Sequence, residues 1–282
     1  MAIKLIIDSA ADIHKTEAEK MGLIMLPMVI SFGDEEYFDG VNLTPAEFYE
    51  KLIESDVLPK TSQISPYRFE EEFNRLTKNG DELIVITISS KLSGTFEAAR
   101  SAAEKFAGKV HVIDSLNAAV GERLLGEYAL RLIGQGMNAA QIVSELEAKK
   151  KKIRLMAVLG TLEYLKKGGR ISKAVAFAGE MLSLKPVIAV VDGEVKLVGK
   201  ALGSKKGNNL LTRLVQEAGG IDFSMPYGTI WSGLDKSMLD KYIADSAPLW
   251  ANHTSQVPAY MLGGTIGTHV GPGAVGVAFF EK

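Results

Sequence analysis

The chain contains no cysteine. That excludes a disulfide framework, a thiolate zinc site and a cysteine nucleophile together. Histidine is scarce as well, with four residues at positions 14, 111, 253 and 269, too scattered for a metal cluster. Neither sign of charge dominates: 32 basic and 34 acidic side chains leave a net charge of -2. There is therefore no electrostatic footprint for a nucleic-acid backbone or an anionic membrane surface. Long apolar runs are missing too. The longest, LIMLPMVISF from Leu23 to Phe32, contains a proline and is about half of what a bilayer span requires. The start, MAIKLIIDSAAD, reaches Asp8 too early for the basic and apolar regions of a signal peptide. The expectation is a cytoplasmic protein without a nucleic-acid partner and without integral membrane association. Nucleotide motifs are absent as well. No G-x-x-x-x-G-K-[ST] occurs, and Gly271-x-Gly273-x-x-Gly276 is followed by the strand-like GVAFF where a dinucleotide fingerprint would open a helix. No ATP site is expected on this chain.

What is present suits two domains: 282 residues, 46% of them hydrophobic, exceed the usual size of a single core. The runs IKLII (3–7), LIVITI (83–88) and VHVI (110–113) are short, rich in β-branched residues and separated by helical stretches. That order predicts buried parallel strands in an α/β domain. Thr44-Pro45-Ala46-Glu47 is a capping box with proline at the first helical position, and Ser65-Pro66 opens the next helix in the same way. A helix over Ala139 to Lys152, with Ile142, Val143 and Leu146 on one face, ends in the basic run 149–152. The boundary is placed there, giving an N-terminal parallel-sheet α/β domain over 1–152 and a C-terminal mixed α+β domain over 153–282. In the latter, AVAFAGEMLSL reads as an apolar helix and PVIAVVDGEVKLVG as a hairpin turning at Asp192-Gly193.

The candidate chemistry sits in three segments. SSKLSGT, residues 89–95, lies between a strand and a helix, where ligands of open parallel sheets bind. Hydroxyls and free backbone N–H groups at such a place hold anions, carboxylates included. TSQIS, residues 61–65, is a second hydroxyl-rich stretch before a helix, and two of them favour a polar pocket. His269 stands among the glycines of GTHVGPG, with little bulk beside its ring. Two readings of Ser93 stay open: a helix cap or ligand hydroxyl, and a nucleophile with His269 as base and Asp8 or Asp114 as orienter. The nucleophile elbow G-x-S-x-G is missing, since Lys91 and Thr95 flank the serine. For Asp8 and Asp114, each followed by serine after a strand, a helix-capping role is the simpler reading. Arg170, in KKGGRIS, is either a solvated surface charge or a contact for a partner.

In order along nearly the whole chain, TSQIS, SSKLSGTF, VIDS, TLEYLKKGGRIS, LSLKPVIAVVDGEV and IGTHVGPGAVGV resemble the DegV family, which includes the fatty-acid-binding subunits of the bacterial fatty acid kinase. The resemblance implies a two-domain, non-enzymatic lipid-binding protein with a long-chain fatty acid buried in a tunnel between its domains and no cofactor. It further implies that Thr61, Ser62, Ser93 and His269 hold the acyl carboxylate. A separate ATP-binding kinase subunit would then phosphorylate that carboxylate, with Arg170 at the partner contact. The alternative class is a serine-dependent esterase or thioesterase using Ser93 and His269. One departure concerns the partner: where relatives often carry a basic residue, this chain has Leu202 in KALGSKK.

Overall fold

A computed structural model describes residues 2–106, 108–171 and 184–282, so the expected helix AVAFAGEMLSL lies, save for its last residue, outside the described residues. Among the described residues the strands are β1 (Ile3–Asp8), β2 (Ile24–Leu26), β3 (Val29–Phe32), β4 (Glu35–Phe38), β5 (Lys60–Ser62), β6 (Glu82–Thr87), β7 (Val110–Asp114), β8 (Ile153–Val158), β9 (Leu184–Val191), β10 (Glu194–Leu202), β11 (Tyr227–Trp231), β12 (Ala259–Met261) and β13 (Val275–Phe280).

The three apolar runs of the N-terminal half become β1, β6 and β7 of a four-stranded parallel sheet, ordered β2-β1-β6-β7. β6, in the middle of the sheet, does not alternate because both its faces are covered, and it is buried from Leu83 to Thr87, whereas β7 at the edge is buried only at Ile113. The second sheet starts at Ile153 and runs β10-β9-β8-β13-β11-β12, antiparallel except for the β11/β12 pair. Its hairpin turns where expected, with Asp192 at φ 52° and Gly193 at φ 82°, the left-handed pair that a two-residue turn between twisted strands requires. A third, antiparallel sheet, β4-β3-β5, had no counterpart in the sequence reading.

Helices close the layers. Thr44 caps Pro45–Glu54 with both halves of its capping box formed, and Ser65 caps Pro66–Thr77. The helix read as ending at Lys152 stops at Lys149, where it tightens into a 3-10 turn over Lys150–Lys152. Ala119–Gly134 is buried nearly all round because it packs against β1 and β6 on one side and β8, β11 and β13 on the other. It joins the two larger sheets into one body. The main core accordingly crosses residue 152 without a break, from Leu5 and Ile86 through Leu124 to Ile188, Ile230 and Phe280. Two smaller clusters lie on the outer side of the second sheet, around Val187, Leu211 and Tyr242, and under the third sheet, around Ile30, Phe48 and Tyr49. No helix of the described residues is long and apolar enough to cross a membrane.

Candidate functional site

Three segments distant in sequence meet between the sheets. The first follows β6. Leu92 and Ser93 donate their N–H groups to the Ser89 carbonyl at 2.9 and 3.1 Å, which folds 89–93 into a tight turn. The helix Thr95–Ala103 comes next, and its N-cap is Gly94. Ser93 is therefore one residue too early to be that cap. Its Oγ accepts from the Thr95 N–H at 3.3 Å and shares a hydrogen bond with Thr95 Oγ1 at 2.9 Å.

The second segment is β5 and the residue after it. Pairing of Thr61 with Ile30 fixes the strand against β3, and Gln63 then lays its side-chain amide over Gly94. A Cβ at position 94 would collide with that amide, so the glycine is what lets the two hydroxyl-bearing segments approach.

The third segment is the helix Gly264–Val270, which carries His269 in its last turn. The sequence GGTIGTHVGPG suggested a glycine-rich loop, and the structure makes it helical. Gly264 and Gly267 face Phe48, and the ring of that residue leaves no room for a side chain at either position. His269 Nε2 lies 2.9 Å from Thr61 Oγ1, while Nδ1 is buried without a hydrogen-bond partner and packs on Gly168. A proton on Nε2 finds an acceptor in the Thr61 hydroxyl, whereas one on Nδ1 would find none. The neutral ring therefore carries its hydrogen on Nε2. Burial first, and the neighbouring Arg170 second, push the imidazole down to about 4.

Arg170 is exposed at the same place. Its Nη1 donates to the Gly168 carbonyl at 2.6 Å and its Nε to the Leu92 carbonyl at 3.2 Å, next to Ser93. Leu202 is 53% exposed at the end of β10.

These side chains border a cavity of about 360 Å³. Thr61, Ser62, Gln63, Ser93, Arg170, Thr265 and His269 supply its polar lining, and all four residues expected to meet a carboxylate are among them. The second sheet contributes an apolar wall of Leu155, Ala157, Ile188, Val190, Val195 and Ile230. The site is thus a hydrocarbon slot with hydroxyl, amide and imidazole donors gathered together. The catalytic alternative lacks its geometry. His269 is paired with Thr61, Ser93 with Thr95, and no acceptor reaches Nδ1. Asp8 binds the Ala10 and Ile88 N–H groups, and Asp114 those of Ser90 and Leu116. Two participants were not singled out from the sequence: Gln63, although it stands inside the quoted TSQ, and Gly168, whose role is to receive the imidazole.

Comparison with known proteins gives one answer. A family model described as "Uncharacterised protein, DegV family" matches residues 2–282. A DegV domain-containing protein of Caldanaerobacter subterraneus subsp. tengcongensis is 33% identical over 284 residues, which cover 99% of each chain. Among solved structures, a fatty-acid-binding DegV family protein from Thermus thermophilus superimposes with a TM-score of 0.88 at 29% identity, covering 100% of both chains. A stearic acid-binding protein from Eubacterium ventriosum gives 0.86 at 26% identity, covering 100% of this chain and 99% of the other. With the family model spanning all but the first residue, and the same fold found over the full length of the solved relatives, this chain belongs to the DegV family.

Proposed function

We propose that this protein binds a long-chain fatty acid without catalysing a reaction of its own. The hydrocarbon chain lies along the second sheet, and the carboxylate meets Thr61, Ser62, Ser93 and His269. The observation that carries the proposal is the cavity itself, whose polar lining is concentrated in three converging segments and whose remaining wall is aliphatic. Its size is in the right range. An engineered cavity of about 150 Å³ holds benzene, and on that scale 360 Å³ accommodates roughly 14 carbons. Burying about 14 methylenes at ~0.8 kcal/mol each gives a gross gain of roughly 11 kcal/mol, from which the ordering of the chain is subtracted. Micromolar binding or tighter follows.

The polar groups suit an anion that is to remain reactive. Hydroxyl donors, with Thr61 backed by the imidazole N–H of His269, hold a carboxylate without the two-point fork of an arginine, leaving one oxygen free to attack an electrophile such as phosphorus. That supports the finer part of the proposal, presentation of the acyl carboxylate to a fatty acid kinase subunit, with the exposed Arg170 beside the opening. Mass spectrometry of the lipid extracted from purified protein is the test. A stoichiometric long-chain fatty acid is expected. Lipid-free protein that also fails to bind added palmitate and oleate would refute the proposal.

A further inference from the structure

Three aspartates are buried away from the cavity and none has an ion-pair partner among the described residues: Asp8, Asp12 and Asp39, exposed by 1%, 3% and 2%. Burying a carboxylate is costly unless its oxygens are used. Each aspartate places one or both oxygens on a backbone N–H of an element that carries proposed ligand residues, while Asp12 Oδ2 has no partner. Asp8 Oδ2 accepts from Ile88 at 2.8 Å, at the point where β6 gives way to the Ser93 turn, and its Oδ1 accepts from Ala10 at 2.9 Å. Asp12 Oδ1 accepts from Gly263 at 2.7 Å. Asp39 accepts from Gly264 at 3.1 Å through Oδ1 and from Thr265 at 3.2 Å through Oδ2. Those three donors are the N-terminal end of the helix Gly264–Val270 that carries His269.

We infer that Asp8, Asp12 and Asp39 are positioning residues of the carboxylate site, Asp8 fixing the Ser93 turn and Asp12 with Asp39 fixing the axis of the His269 helix. This rests on the proposed binding of a fatty acid carboxylate at Ser93 and His269. The helix has reason to need such anchors. It is seven residues long, starts after one glycine and contains two more, so its own propensity is poor. Its first N–H groups have no partner inside the helix, and the two aspartates satisfy three of them. Since His269 lies little more than one turn from the anchored end, a tilt there changes the approach of Nε2 to Thr61. The anchors come from the loops after β1 and β4, so the N-terminal half of the chain sets the position of a histidine near its C-terminus. Burial pushes all three carboxyls up, and the backbone N–H groups they accept from act against that shift in each case.

The test compares delipidated wild type and variants for binding of radiolabelled palmitate and of 1-hexadecanol, which has the same tail and no carboxylate. The readout is the ratio of the two affinities. Asp39→Asn and Asp8→Asn each turn an amide N–H₂ toward one backbone N–H, and the preference for the acid should fall tenfold or more with hexadecanol binding changed less than twofold. Loss of negative charge acting through space would raise that preference, so the sign separates positioning from electrostatics. Asp12 provides a second, independent comparison. It accepts through one oxygen and sits at φ 55°, both of which asparagine tolerates. Asp12→Asn should keep the wild-type ratio and Asp12→Gly should lose it. This pair decides the matter even if the Asp39 variant is recovered only as aggregate. A wild-type preference for the acid that survives unchanged in Asp39→Asn and Asp12→Gly would overturn this inference alone. No wild-type preference would overturn the carboxylate site itself, and the inference with it.

Discussion

His269 should make the ligand-free protein sensitive to mild acid, and the effect can be assigned to this one residue. In the folded protein the ring is neutral and its affinity for a second proton is depressed from the ordinary 6.5 to about 4. An imidazolium would place a buried Nδ1–H where no acceptor exists, beside the guanidinium of Arg170. The unfolded chain, with a histidine near 6.5, therefore binds more protons than the folded one between pH 4 and 6.5. The contribution to stability is complete above pH 6.5 and is lost as the pH falls toward 4. A lowering from 6.5 to about 4 corresponds to roughly 3 kcal/mol. Glutamine at 269, whose amide nitrogen overlays Nε2, keeps a donor for Thr61 and does not titrate. Urea unfolding of delipidated wild type and His269→Gln at pH 7.5 and pH 4.5 gives the comparison. The buried carboxyls titrate in both proteins and cancel in the difference. The wild type should lose about 2 to 3 kcal/mol relative to the variant over that interval. A bound carboxylate stabilises the imidazolium, so lipid-loaded wild type should lose less. Parallel stability curves for the two proteins, or an NMR titration of the His269 ring near 6.5, would refute the reasoning.

Gly168→Ala pushes a methyl into the imidazole, and palmitate affinity should fall at least tenfold by equilibrium binding, with the fold intact by circular dichroism. Ser93→Ala removes one hydroxyl donor to a charged group, worth about 1.5 to 3 kcal/mol, and should weaken palmitate tenfold or more; wild-type Ser93 should not react with a fluorophosphonate, because no base activates it. Ala157→Leu fills the apolar wall and should move the preferred ligand, read by mass spectrometry of extracted lipid, shorter by roughly three carbons, the number added. With a foreign fatty acid kinase subunit and ATP, acyl-phosphate trapped as the hydroxamate should be weak for wild type, raised by Leu202→Arg and abolished by Arg170→Ala. Activity indifferent to both substitutions would put the docking surface elsewhere.

Much of this protein was legible in one dimension because the determining forces are local. β6 announces itself as an unalternated β-branched run, since a strand covered on both faces has no polar side to show, and β1 and β7 stand out as short runs rich in β-branched residues between helical stretches. Thr44 and Ser65 satisfy helix donors within three residues of themselves, and Asp192-Gly193 carries its own turn. The motifs that resemble the DegV family also brought Thr61, Ser62, Ser93 and His269 to attention, and all four line one cavity. What the chain could not state locally was decided by packing. Thr61 and His269 are 208 residues apart, and no periodicity records that they touch. The third sheet is built from strands of three and four residues, too short for an alternation to be seen. The helix of His269 contradicts its own composition. Glycine disfavours helix in isolation, but here Gly264 and Gly267 admit the ring of Phe48, and Asp12 and Asp39 hold the first N–H groups from another layer of the fold. Asp8 reads in sequence as an ordinary cap, and it is one for Ala10. Its second oxygen reaches Ile88, 80 residues away, and only the parallel pairing of β1 with β6 brings that donor within reach.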